Sequence, residues 1–257
     1  MPSYEPLKSA SRVLEVLVAL NRAPVTSIRD LHTATAIPKP TLVRILETLI
    51  EAGFVARDTN RAGYQVTSAV TSLSAGFHSE PMVVEVAAPL ARALTADILW
   101  PVAIATLDVD AMVVRYSTIP DSPLAHVHTT LNKRLSLVAR AHGRAYLAFC
   151  PPDERRILLG MAARSPGGED QAARSAKAIG EVLREVRANG YAIRDPAIDP
   201  RTSTMAVPVM QGDRVVATAG ATFFTRVLSH ADAVRDVAPR LADLARTAAE
   251  RLAGAAS

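Results

Sequence analysis

Between Ser9 and Gly53 the apolar residues recur at three- and four-residue steps, the spacing that gathers side chains on one face of a helix. Val13, Leu14, Leu17 and Leu20 form one such stripe, and Ser9 stands where it can cap the helix, which would run to Asn21. Ser27-Ile-Arg-Asp-Leu reads as a second helix start, with Ser27 as cap and Asp30 three residues on. Leu42, Ile45, Leu46 and Leu49 make a third stripe. Pro40 suits the first turn of that helix, where its missing N–H costs nothing, and Gly53 suits the residue just past the end. Thr41, Arg44, Thr48 and Glu51 fall on the opposite face. Phe54-Val-Ala-Arg-Asp and Gly63-Tyr-Gln-Val-Thr then read as strands around the polar turn Thr59-Asn-Arg-Ala.

Helix, turn, helix and a two-stranded wing in this order describe a winged helix-turn-helix, whose second helix enters the major groove of double-stranded DNA. Lys39, Thr41 and Arg44 are the expected recognition-helix contacts. Arg57 and Arg61, with Asn60 between them, would lie beside the phosphates. The plain alternatives are a solvated helix face for Arg44, solvated wing arginines, and a helical subdomain that touches no nucleic acid.

Beyond residue 67 the pattern changes. Thr67 to Ser79 is rich in small and apolar residues and suggests a helical connector, which Pro81 interrupts before a helix from Val83 to Leu99. From Trp100 the period shortens towards two. Pro101–Asp108 and Met112–Thr118 read as a hairpin, and Lys133–Val138 as a further extended run. Helices are expected over 139–149, 153–163 and 173–189, and strands over 191–194, 204–210 and 214–223. A closing helix from Ser229 to Ala253 would bury Val234, Val237, Leu241, Leu244 and Ala248. The fold class is therefore α+β: a winged helix-turn-helix over 1–67, a helical linker over 68–80, and an antiparallel-sheet sensor-like domain over 81–257.

Charge adds little to this. The chain has 257 residues and a net charge of +4, and residues 1–70 carry eight Lys/Arg against six Asp/Glu. A DNA-binding reading thus rests on placement of charge and not on its amount. The single cysteine excludes an intrachain disulfide, and neither a signal segment nor a membrane-length apolar run is present, so a cytoplasmic protein is expected. No nucleophile elbow, phosphate loop or triad appears, which argues against an enzyme. No cofactor is implied. His126 and His128 would share a side of an extended segment, but no cysteine or carboxylate cluster accompanies them, so no metal site is expected. Cys150 and His142 lie eight residues apart on one helix, about 12 Å along its axis and too far for proton transfer. A small packed thiol is the simpler role.

Several stretches resemble one family. Ser9-x-x-Arg12, Pro38-Lys-x-Thr41-x-x-Arg44, Ala141-x-Gly143-Arg-Ala-x-Leu-Ala148, Gly190-Tyr191 before a strand, and Ala206-Val-Pro-Val209 leading into a hairpin are similar to the IclR-type bacterial transcriptional regulators. Arg115-Tyr-Ser-Thr-Ile-Pro and Leu131-Asn-x-Arg134-Leu-Ser-Leu look most like the branch that controls catabolism of hydroxyphenylpropionate-type aromatic acids. The resemblance implies a GAF-like effector domain, a homodimer or dimer of dimers on a pseudo-palindromic operator, and a small organic acid as effector. It also implies effector contacts at Arg134, Leu135, Ser136, Met205, Thr218, Ala219 and Thr222. Arg134 and Ser136 would supply a charged fork and a hydroxyl for a carboxylate; the alternative is a solvent-facing arginine and an ordinary core hydroxyl. Three departures stand out, one of them Pro40 where the family has a hydroxyl at the recognition-helix entry. A glycine common in the family's helix-turn-helix turn is Ala36 here, and the strand region after Gly190-Tyr191 lacks the family's glutamate, reading Arg-Asp-Pro-Ala-Ile-Asp-Pro-Arg over 194–201.

Overall fold

The computed structural model describes residues 7–74, 82–164, 169–170 and 175–255. It separates into two compact units. The first contains α1 (Lys8–Leu20), α2 (Ile28–Thr35), α3 (Lys39–Glu51) and the antiparallel pair β1 (Val55–Asp58) and β2 (Gly63–Val66). One apolar core closes it, made by Val16, Leu20, Leu31, Ile37, Leu42, Ile45, Leu46, Leu49 and Val55 with their neighbours.

Local chemistry accounts for the turns of this unit. The Ser27 hydroxyl accepts the Asp30 N–H at 3.2 Å and donates to the Asp30 carboxylate, closing the first turn of α2. Ala36 ends α2 in the left-handed region, φ 56° and ψ 9°, and its N–H reaches the His32 carbonyl at 2.9 Å. The position usually suited to glycine keeps the same geometry with a Cβ present. Pro38 and Pro40 then bracket the entry to α3. The first helix differs from its expected form. It begins at Lys8 with Leu7 as the flanking residue, and Ser9 lies inside the first turn. Its buried residues are Val16, Ala19 and Leu20, while Leu14 is 63% and Val18 56% exposed. Val13 and Leu17 of the expected stripe pack against the same core as the fully buried Leu20, so only Leu14 leaves that face, and Val16 and Ala19 join it.

The second unit is a six-stranded antiparallel sheet in the order β5-β4-β3-β8-β7-β6. Its strands are β3 (Val102–Asp108), β4 (Ala111–Ser117), β5 (Arg134–Leu135), β6 (Ala192–Ile193), β7 (Thr202–Gln211) and β8 (Arg214–Phe224). Helices α4 (Met82–Ile98) and α9 (Ala238–Ala255) cover one face; α5 (Ala141–Phe149) and α7 (Ala176–Asn189) cover the other. Helices α6 (Pro152–Arg164) and α8 (His230–Asp236) complete the set among the described residues. The expected closing helix is broken into α8 and α9 around Val237. Pro239, in the first turn of α9, has no N–H to give to the preceding helix. The expected strand over 133–138 shrinks to two residues because the Ser136 hydroxyl accepts the N–H groups of Val138 and Ala139 at 3.2 and 3.0 Å and turns the chain into α5. The connector is a 3₁₀ segment over Ser68–Ser74; the remainder of the expected linker lies outside the described residues.

Helix α5 is the best anchored element of this unit. A Cβ on Gly143 would fall inside the backbone of Ser136 and Leu137, so the helix can approach that closely only with glycine there. The half-buried Arg144 guanidinium binds the Val138 carbonyl (2.7 Å), the Ile193 carbonyl (3.0 Å) and the Asp195 carboxylate (3.0 Å). At the other end Arg155 donates to the Leu147 and Cys150 carbonyls at 2.6 and 2.7 Å, and Arg187 donates to the Ala148 carbonyl. Two cations therefore satisfy the acceptors of the negative helix end.

Two substitutions test these backbone constraints. Ala36→Gly is expected to stabilise the protein by about 1 kcal/mol, seen as a higher urea midpoint at unchanged slope. An unchanged midpoint would mean that the left-handed turn carries no strain. Gly143→Ala is expected to lower stability by about 1–3 kcal/mol through overpacking.

Candidate nucleic-acid interface and effector-facing surface

In the first unit the apolar stripe of α3 is fully enclosed, and this fixes which side chains remain outside. Lys39 and Arg44 are exposed and Thr41 is half-buried at the N-terminal end of the helix. Thr48 is exposed, but its hydroxyl donates to the Arg44 carbonyl of its own helix at 2.9 Å. Glu47 and Glu51 are exposed further along. The free face is thus cationic at its start and acidic at its end, and the helix dipole adds to the positive end. In the wing, Asp58 accepts the N–H groups of Asn60 and Arg61 at 2.9 and 3.0 Å, which shapes the tip and leaves both side chains exposed. Arg57 lies across the strand pair from Tyr64, with its guanidinium 5.8 Å from the ring centroid. Thr26 and Tyr64 exchange backbone hydrogen bonds at 2.9 and 3.0 Å, so the link before α2 holds the wing in place. The five expected DNA contacts, Lys39, Thr41, Arg44, Arg57 and Arg61, accordingly lie on α3 or the wing, four of them exposed and Thr41 half-buried.

In the second unit the expected effector residues separate. Met205 and Ala219 belong to the core under α4 and α9, and both are fully buried. Leu135 packs into the opposite core, beneath α5. Thr218 faces α5, with its hydroxyl 2.8 Å from Nδ1 of His142. Thr222 is half-buried, and its hydroxyl meets that of Thr204 at 3.0 Å. The proposed fork of Arg134 and Ser136 is not assembled. Arg134 is exposed and pairs with Asp110 and Asp108 at the β3–β4 turn, whereas Ser136 turns inward and donates to Asp170. Strand alternation explains the split: neighbours such as Thr218 and Ala219 must point to opposite faces.

The register shows what the α5-facing side offers. Ala103 pairs with Ser117 and with Gly220, Gly220 pairs with Ala206, and Thr204 pairs with Thr222. Paired residues share a face, so small and hydroxyl side chains floor this part of the sheet. A Cβ at Gly220 would come within 2.9 Å of the His142 ring, so that glycine admits the imidazole. His142 is fully enclosed, and burial pushes its pKa down to about 4. Arg140 flanks the N-terminus of α5 and pairs with Glu169 through both arms. Arg194 is 6% exposed, and its guanidinium binds the carbonyls of Asp199 and Thr202 and the Thr202 hydroxyl. Neither arginine stood out in the sequence as a ligand contact. Arg140 lies next to a motif of small residues, and Arg194 stood out only as a departure from a glutamate.

The remaining reactive groups are structural. Cys150 is buried, its thiol pKa is raised to about 11 by burial, and it donates to the Leu147 carbonyl. His126 packs edge-on against Phe224, with centroids 5.4 Å apart, and its pKa is lowered chiefly by burial. Among the described residues no three His, Cys, Asp or Glu side chains gather as a metal would require, and no helix is long and apolar enough to cross a membrane.

Comparison with known proteins agrees with this architecture in both units. Residues 9–59 match the IclR helix-turn-helix domain and residues 78–252 match the C-terminal domain of bacterial transcriptional regulator IclR. The HTH-type transcriptional regulator KdgR of Escherichia coli is 25% identical over 211 residues, covering 82% of this chain and 79% of the relative. The IclR structure from Thermotoga maritima superposes with a TM-score of 0.68 at 16% identity, over 95% of this chain and 98% of that one. An IclR homolog from Microbacterium hydrocarbonoxydans complexed with 4-hydroxybenzoate gives 0.59 at 18% identity, over 96% and 100%. At these identities the two structures speak for the fold alone.

The buried imidazole makes stability depend on pH. The folded protein holds His142 neutral down to about pH 4, whereas the unfolded chain protonates it near 6.5. Below pH 6.5 the unfolded state therefore takes up a proton that the native state refuses. The contribution is full above 6.5 and is lost as pH falls towards 4, by at most about 3 kcal/mol. Urea unfolding between pH 7.5 and 4.5 should show this slope in the native sequence and a shallower one in His142→Gln. Equal slopes would count against a neutral buried imidazole.

Proposed function

Because the chain belongs to the IclR family of bacterial transcriptional regulators, we propose that it reads a pseudo-palindromic operator and that a small aromatic carboxylic acid controls its operator binding or activation. It is a DNA-binding regulator and not an enzyme, and such a protein works in the cytoplasm, where the DNA is. We assign DNA binding to residues 1–67 and effector sensing to 81–257, with 68–80 as the link.

The observation that carries the DNA reading is the exposed cationic start of α3 opposite a fully buried apolar stripe. Arg44 is suited to a guanine edge, Lys39 and Thr41 to bases or phosphates at the groove entry, and Arg57 and Arg61 to the phosphates beside the wing. A homodimer, or a dimer of dimers, would set two such helices one DNA turn apart. The exposed Leu14 and Val18 on α1 offer an apolar strip for a second copy.

The aromatic-acid reading is supported by the likeness of residues 115–120 and 131–137 to regulators of hydroxyphenylpropionate catabolism and by a fold relative complexed with 4-hydroxybenzoate. It is also supported by the floor of small and hydroxyl side chains facing α5, where Thr218 and Thr222 lie, and by Ser136 in the turn before that helix. Met205, Ala219 and Arg134 lie away from that floor and are not part of the proposed pocket. Effector and operator affinities must change by reciprocal factors, since each biases the same equilibrium.

A mobility-shift titration on DNA upstream of the neighbouring genes tests both halves. Arg44→Ala should weaken specific binding by about 1–3 kcal/mol and relax the preference at one base position. Arg57→Ala or Arg61→Ala should weaken all sequences alike and reduce the salt slope by about 1. Addition of 3-(3-hydroxyphenyl)propionate should change the shift. Binding that ignores every aromatic acid would rule out this effector class, and absence of any specific shift would rule out regulation at that locus.

A further inference from the structure

Glu47 stands on the free face of α3, three residues after Arg44, and both are exposed. Leu42, Ile45, Leu46 and Leu49 are buried on the other side. At 3.6 residues per turn, Arg44 and Glu47 lie about 30° to either side of the line directly opposite that stripe. Lys39 and Thr41 stand on the flanks, and Pro40, on the line, has no polar side-chain atom. Thr48 has its hydroxyl committed to the Arg44 carbonyl at 2.9 Å. Arg44 and Glu47 are opposite charges one turn apart, yet among the described residues the Glu47 carboxylate has no hydrogen bond or ion pair, with Arg44 or any other group. Glu51, four residues on, is exposed and adds a like charge on the same face, which disfavours the helix. An unpaired carboxylate in the middle of a DNA-facing surface also repels phosphates, so it opposes binding unless a donor meets it in the groove.

Such donors are few in the major groove. Guanine presents the N7 and O6 acceptors there, and thymine presents O4 and a methyl group. Adenine has an N6 donor, but its N7 acceptor stands beside it and repels a carboxylate. Cytosine offers N4–H₂ as a donor, the edge that a carboxylate can accept from. We propose that Glu47 accepts a hydrogen bond from N4 of a cytosine in each operator half-site, on the base pair next to the one whose guanine Arg44 reads. Three residues rise about 4.5 Å along α3, close to the spacing of about 3.4 Å between base pairs, so the two side chains meet neighbouring pairs. Against guanine or thymine the carboxylate faces an acceptor and stays unpaired, and the site is rejected. This assignment rests on the reading of α3 as the recognition helix and names the base read at one position.

The test begins with selection of bound sites from a random-sequence DNA pool by the full-length protein. Mobility shifts at fixed salt then compare the selected site with versions carrying each other base at one position. In the native protein, replacing the cytosine should weaken binding about tenfold. Glu47→Ala should lose that preference and keep the guanine preference that Arg44→Ala removes at the neighbouring pair. Glu47→Gln should move the preference from cytosine to adenine, because an amide pairs with N6 and N7 together. Glu51→Gln should strengthen binding to all sequences alike and leave the preferences in place. Far-ultraviolet circular dichroism shows that each variant is folded. An unchanged cytosine preference in Glu47→Ala, even with tighter binding to every sequence, overturns the inference and leaves the DNA-binding reading standing. A selected site with no cytosine beside the Arg44-dependent guanine does the same. Failure of the native protein to select any site removes the DNA-binding reading itself, and the inference with it.

Discussion

The close approach of α5 to the backbone of Ser136 and Leu137 is the constraint on which the second unit depends. Gly143 permits it by having no Cβ, and Arg144 fixes it by joining the turn before α5 to β6 and to Asp195. Once the helix lies this near, the adjacent His142 projects onto the sheet, and β8 must offer a glycine to receive it. The same docking sets Arg140 at the helix entry, close to the segment that carries Arg194. One missing side chain thus determines where an imidazole and two guanidinium groups come to lie.

The two faces of the sheet differ in chemistry. Under α4 and α9 the core is almost wholly apolar, with Trp100, Phe223, Met205 and Leu241 filling it. Such a face contributes burial and leaves little for a polar ligand to recognise. The α5 face mixes apolar packing with hydroxyls and charged pairs, several of them only partly enclosed. Groups of that kind stabilise little by themselves, because desolvation offsets attraction, but they discriminate among ligands by charge and geometry. In the first unit a similar economy holds. The left-handed Ala36 and the paired prolines fix the angle between α2 and α3, and the cationic start of α3 then faces outward because its other side is core.

Much of this was legible in the sequence where independent signals coincided. For α3 the proline at its start, the glycine after its end and an apolar stripe at helical spacing all specify one helix with one free face. For α1 the expected face held at Val13, Leu17 and Leu20, while Leu14 stayed outside and Val16 and Ala19 turned in, because apolar residues surround the helix and leave the edge of its stripe undefined. For the closing helix the apolar period ran through Pro239, and the break came from the missing backbone donor.

The sequence by itself determined most of the elements though not all their bounds, the alternation of strand faces and the outward residues of the recognition helix, because these follow from local backbone geometry and a period of 3.6 or 2. Only the tertiary structure decided which sheet face lies under α5, and therefore that Thr218 and Thr222 face it while Met205 and Ala219 do not. It alone paired Arg134 with the β3–β4 turn, and Arg140 with a glutamate twenty-nine residues away. Alternation shows that a strand has two sides, but which helix covers each side depends on contacts distant in the chain, and a local pattern carries no record of them.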